Sequence, residues 1–290
     1  MPVRRVVSLG SEAAAANPTQ RDEGRLRGIG MVERVGIVVL LLLLTMSLAA
    51  PLFVADPVTS VGPSFEPPSV KHLLGTDDVG QDVFSRVMYG LRTSWLSAVV
   101  VIASAIVIGG AIGLLAGARG GWVDAVLMRL TDTFLALPGP VLAIAVAAAL
   151  GANLRNTVIG IAVVWWPWYA RLVRGEIRAL AARPHVDAAR LSGVSRTRLM
   201  FRHLLPGALP PVIVTASLDI QILVLTLAGL SFIGLGAPAP SPELGAMAAR
   251  GADYLFASPW IPLAPGCALF LLAVAANLAG DGIRALFDRG

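Results

Sequence analysis

The chain has 290 residues, of which 56% are hydrophobic and only 14% charged, where a soluble domain is nearer a quarter charged. That excludes an ordinary soluble enzyme, and the net charge of +5 sits in loops beside apolar runs, so it speaks for membrane topology and not for nucleic acid. One cysteine (Cys267), three scattered histidines and one lysine outside any Gly-x-x-x-x-Gly-Lys-Ser/Thr pattern give no disulfide, no metal motif and no Walker A loop.

In chain order, residues 1–34 read as a disordered cytoplasmic tail rich in arginine and small residues. Val35 to about Ala55 is uncharged and long enough to span, and reads as an uncleaved first helix. Asp56 to Arg92 is polar, with Pro57, Pro63 and Pro67-Pro68, and shows no hydrophobic face. Its Asp77, Asp78 and Asp82 lack the spacing of a calcium loop. Trp95 to Ala118 is a second span, carrying glycines at 109, 113 and 117. Small residues four apart let helix backbones approach closely in lipid.

Gly120 to Asp124 is a turn leading into a mixed segment through Asp132. Phe134 to about Leu150 reads as the third span, with Pro138 and Pro140 at its start. A fourth runs from Thr157 to about Leu172 and holds Trp165-Trp166-Pro167-Trp168-Tyr169. That cluster reads as an interfacial aromatic belt, with substrate stacking as the alternative. Leu209 to about Gly234 is the fifth span, and Asp219 sits inside it. An unpaired carboxylate there costs about 2.5–3.5 kcal/mol on insertion scales, so it should face other helices, water or a partner, with Gln221 nearby. Ala237 to Pro259 reads as a Pro-rich outer loop, and Trp260 to about Ala279 as the sixth span.

Six spans put both termini on one side. Eighteen of the 23 Lys and Arg residues then fall on that side. The positive-inside rule makes it the cytoplasm.

Between the fourth and fifth spans lies RPHVDAARLSGVSRTRLMFRHLLP, Arg183 to Pro206. Pro184 suits a first helical turn, Gly193 a chain reversal through positive φ, and Ser195 a second cap. A helix-turn-helix loop of this length suggests a task. Its Asp187-Ala188-Ala189, then Gly193, then Leu204-Leu205-Pro206 resemble the "EAA" coupling loop of ABC importer permeases, with Asp187 where Glu is commonest. Further motifs resemble the dipeptide/oligopeptide-type permeases, C-type subunit. His72-Leu73-Leu74-Gly75-Thr76-Asp77-Asp78-Val79-Gly80-Gln81-Asp82 matches their H-x-LGTD-x-x-GRD segment, with Gln81 in place of Arg. Leu230-Ser231-Phe232-Ile233-Gly234-Leu235-Gly236 matches LSFLGLG, with Leu227 where many members carry Glu, and residues 277–284 match NL-x-GDG-L-R.

The resemblance implies an all-α, six-helix type I ABC importer permease (MetI-like) fold in a bacterial inner membrane. The tail 1–34 would be followed by a first helix with its outer segment, 35–93, and the transporter domain 94–290. It implies a sister permease, two ABC ATPase subunits that bind the ATP, and an extracytoplasmic substrate-binding protein, with lipid around the spans. This chain would hold no cofactor or metal and do no bond chemistry. The implied ATPase contact is Asp187, Ala188, Ala189, Arg190, Gly193, Leu205 and Pro206. Asp219, Gln221 and Ser231 are candidates for the translocation path. Two rival readings are an ion-coupled secondary carrier using Asp219 and an intramembrane protease using Ser231. The first lacks internal repeats and the second lacks a His or Lys in any span.

Overall fold

A computed structural model describes residues 30–287. The tail expected over 1–34 lies almost wholly outside them; the described part, from Met31, already belongs to the first helix. The described residues are helical, with only two isolated antiparallel bridges, Ser60 with Gln81 and Thr76 with Asp82.

The helices are α1 (Met31–Phe53), α2 (Val83–Arg119), α3 (Gly121–Leu135), α4 (Gly139–Leu150) and α5 (Leu154–Ala181). Then come α6 (Pro184–Leu191), α7 (Arg196–Leu199), α8 (Leu205–Leu230), α9 (Leu244–Gly251) and α10 (Trp260–Phe287). Wide π turns at Met200–Leu204 and Ser231–Leu235 flank α8, so one continuous rod runs from α7 past the end of α8. Among the described residues four helical rods, α1, α2, this α7–α8 rod and α10, are long and apolar enough to cross a membrane.

The third expected span is a bent pair, and counting it makes five. α3 and α4 meet at 84°. The break falls at Pro138, whose ring cannot continue a helix from α3. α4 alone rises about 18 Å, short of the roughly 30 Å hydrocarbon core. The fourth expected span is part of α5, which is long enough but diluted by its aromatic cluster and by Arg171, Arg174 and Arg178.

α2 begins twelve residues before the expected span, so residue 93 lies inside it. Asp82 caps this helix, accepting from the Ser85 N–H at 2.8 Å. The first turns of α2 support the folded segment between α1 and α2. Arg86, only 5% exposed, donates to the Pro57 carbonyl at 2.9 Å and to Gln81 Oε1, and pairs with Asp77 at 3.4 Å. Gln81 in turn donates to the Val58 carbonyl at 2.8 Å. A neutral amide thus bridges a guanidinium and a backbone acceptor, where an arginine would face Arg86. Burial pushes the Asp77 carboxyl above its ordinary value, against the Gln81 N–H and the Arg86 charge.

The stretch 237–259, expected to be a loop, contains α9. Glu243, fully buried, caps it by accepting from the Gly245 and Ala246 N–H groups, both at 2.9 Å. Leu244 and Met247 bury against the main core. The signal in the sequence is a capping carboxylate before Leu244-x-x-Met247, masked by four prolines.

The α2–α5 crossing is the most extensive helix contact among the described residues. A Cβ on Gly109 would lie 2.3 Å from the Trp166 carbonyl, and one on Gly113 2.4 Å from the Ala170 carbonyl. The glycine stripe therefore faces α5, as the spacing predicts.

Candidate functional site

Most of the expected site residues lie in two places: the loop between α5 and α8, and a cavity between the same helices.

The loop is anchored by apolar side chains. Val186 is fully buried, Leu199 and Leu204 nearly so, and they pack with Leu180 and Ile177 of α5 and Ala208 of α8. Ala189 and Leu205 join the edge of this cluster. Asp187, Ala188 and Pro206 are exposed, and Leu191 is 91% exposed. Arg190 lies in α6, one residue before Leu191. α6 stops at Gly193, whose φ is +77°. The Val194 N–H bonds back to the Ala189 carbonyl at 3.2 Å and the Ser192 N–H to the Ala188 carbonyl at 3.0 Å, so the last carbonyls of the helix are satisfied. Ser195 Oγ accepts from the Arg198 N–H at 3.4 Å, a long cap for α7. The result is a rigidly seated hairpin presenting a small-residue helical face with an exposed leucine. A cavity of about 770 Å³ separates its base, at Val194, Thr197 and Met200, from the α2–α3 turn at Gly120 and Gly121.

Asp219 is half-buried on α8. Trp165 Nε1 donates to its Oδ2 at 3.1 Å and Tyr169 Oη donates to the same oxygen at 2.9 Å. The expected aromatic belt is thus divided. Trp165 and Tyr169 hold the carboxylate, Trp166 is buried edge-on to Phe134, and Trp168 is 61% exposed. Trp165, Trp168, Tyr169, Arg171, Thr215 and Asp219, with two aliphatic side chains, line a cavity of about 610 Å³. Gln221 does not line it, being two residues along a helix from Asp219 and so on another face. Ser231 is about 18 Å further along α8. Its buried Oγ finds no hydrogen-bond partner among the described residues. The path candidates are therefore not one cluster.

Sequence reasoning missed the charged seam between α3 and α5. Asp124, 7% exposed, accepts from Arg174 Nη2 at 2.8 Å and Arg178 Nη2 at 2.5 Å, and Arg171 pairs with Asp132 at 2.7 Å. These arginines read only as topology charges because their partners are 39 to 54 residues away. Asp124→Asn should cost about 1–2 kcal/mol, since Arg178 is half-exposed and water screens part of the pairing. The check is melting of the purified protein at low and high salt. Wild type should lose stability as salt rises and the variant should not; equal salt responses would remove the seam from the account.

Comparison with known proteins agrees with this architecture. The family described as "Binding-protein-dependent transport system inner membrane component" matches residues 109–290. A probable D,D-dipeptide transport system permease protein of Escherichia coli (strain K12) is 44% identical over 264 residues, covering 91% of this chain and 89% of its own. A dipeptide transport system permease protein of Alkalihalophilus pseudofirmus is 37% identical over 256 residues, covering 88% and 84%. An inward-facing structure of the MetNI methionine ABC transporter aligns with TM-score 0.55 over 70% of this chain and 97% of the matched one. At 22% identity that likeness bears on the fold alone.

Proposed function

This chain belongs to the family of binding-protein-dependent transport system inner membrane components, and we propose that it forms half of the translocation path of an ATP-driven importer for di- or oligopeptides or related small solutes. The other half is a sister permease. Two ATPase subunits bind and hydrolyse the ATP in the cytoplasm, and an extracytoplasmic binding protein delivers the cargo. The termini and the 183–206 loop face the cytoplasm, the side that the arginine distribution favours.

The observation that carries this reading is the seating of that loop. Its apolar residues tie it to the inner ends of α5 and α8, while Asp187, Ala188, Leu191 and Gly193 are left outward. Ala188 and Ala189 make a low helical face that a partner can approach closely. Asp187 and Arg190 flank the two alanines in the chain, and Leu205 and Pro206 close the loop. A push on α6 is then delivered to α5 and α8 together, and those two helices line the Asp219 cavity. Closure of the ATPases can rock the two halves only through contacts that differ between the two states, and this loop supplies them.

The test is co-expression with the cognate sister, ATPases and binding protein, followed by purification and reconstitution into liposomes. The expected result is a stable complex that accumulates dipeptide only with ATP. A chain that purifies alone and transports without ATP, losing transport with Asp219→Asn, would replace this reading by the ion-coupled carrier.

A further inference from the structure

We propose that the Asp219 cavity is a way-station that takes a small zwitterionic peptide, its ammonium group at Asp219 and its carboxylate toward Arg171. This rests on the importer reading and adds the chemistry of one site within it.

Asp219 has two protein donors, and both reach Oδ2. Both are neutral, and among the described residues no cation pairs with this carboxylate. The arginine that lines the same cavity, Arg171, is engaged with Asp132 at 2.7 Å. A half-buried carboxylate held in place by two hydrogen bonds but left without a counter-charge is a site for a visiting cation. The rings around it fit that visitor. Trp165, Trp168 and Tyr169 line the cavity, and indole and phenol faces attract ammonium groups. Because Trp165 and Tyr169 spend their polar atoms on Oδ2, the carboxylate and the rings are oriented before any ligand arrives.

The length also fits. Trp165 and Tyr169 bracket the level of Asp219, and Arg171 lies about 6 Å further along the α5 axis. An extended dipeptide spans at most about 7 Å. The exposed Arg171–Asp132 pair, with side chains 48% and 49% accessible, can share its guanidinium with an arriving carboxylate. The cavity, about 610 Å³, is within the range of small-ligand sites.

The experiment uses the full complex with its binding protein in liposomes, and labelled dialanine as the probe. Uptake and ATP hydrolysis are measured together. Asp219→Asn should lower the dialanine carried per ATP at least tenfold, with the sister permease still co-purifying. Asp219→Glu should restore at least half. Arg171→Gln should lower the same ratio about threefold or more, whereas Asp132→Asn, which frees Arg171, should not lower it. An unchanged ratio in Asp219→Asn overturns the proposal and leaves the importer reading intact. Loss of the sister on purification of Asp219→Asn also overturns it, by making the carboxylate an interface charge. If wild type moves no dialanine with its cognate partners, the dipeptide assignment falls and this way-station with it, while ATP-dependent uptake of another solute would leave the importer reading standing.

Discussion

Replacing Gly193 with valine should reduce ATPase stimulation by the loaded binding protein about tenfold, while Gly193→Asn stays within about twofold of wild type. The reason is one dihedral angle. Gly193 has φ +77°, and a Cβ built on it would meet nothing within 4 Å. Crowding inside this chain is therefore not an obstacle. What remains is the left-handed backbone, which costs an ordinary residue about 1–2 kcal/mol and a β-branched one more, but which asparagine visits readily. Every 1.4 kcal/mol is a factor of ten in an equilibrium. Valine should shift the loop toward a continued helix or a frayed turn, moving Asp187 and Ala188 off their seat. Helix content and membrane insertion should be unaffected, because Val186 and Leu204 still anchor both ends. If asparagine proves as damaging as valine, the partner's surface and not the backbone demands the glycine.

That loop was legible in the sequence because its signals are local. Pro184, Gly193 and Ser195 each fix conformation within a turn of themselves, and the structure places a helix, a positive φ and a cap at those positions. The first, second, fifth and sixth apolar spans were legible for the same reason, since a hydrocarbon-length run needs no partner to be recognised. What could not be read was pairing across distance. Asp219 was visible as a costly charge, but nothing in the fifth span says that Trp165 and Tyr169, fifty or more residues earlier, will hold it. Interfacial belts and buried aromatic donors have the same composition. Gln221 was named beside Asp219 and Ser231 within the motif at 230–236, and helix geometry separates all three. The break at Pro138 was misjudged because a proline near the start of an apolar run was read as tolerated within one span, whereas here it opens a separate helix. Glu243 was hidden because prolines on both sides made a helix look unattainable.

The other large effect is expected at the α2–α5 crossing. Here the substitutions are Gly113→Ala and Gly110→Ala, neighbours on one helix with opposite surroundings. A Cβ at 113 would sit 2.4 Å from the Ala170 carbonyl, 2.9 Å from the Arg174 nitrogen and 3.0 Å from Val173 Cβ, whereas one at 110 meets nothing within 4 Å. Two of the three obstructing atoms are backbone and cannot rotate away. Forcing a methyl into a closed contact costs about 1–3 kcal/mol. In lipid no hydrophobic effect pulls helices together, so the close approach is itself the adhesion and its loss is not recovered elsewhere. Gly113→Ala should therefore lower the melting temperature of the purified complex by several degrees, and Gly110→Ala should leave it unchanged. Transport should fall with Gly113→Ala as well, because α5 carries Trp165 and Tyr169 at the cavity and Leu180 against the coupling loop. Tilting α5 away from α2 disturbs both at once. Equal losses in the two variants would mean that the glycines serve helix flexibility, and the crossing would no longer explain the stripe. Loss in Gly113→Ala alone would tie transport to the close packing on α2 of α5, the helix that with α8 joins the loop to the cavity.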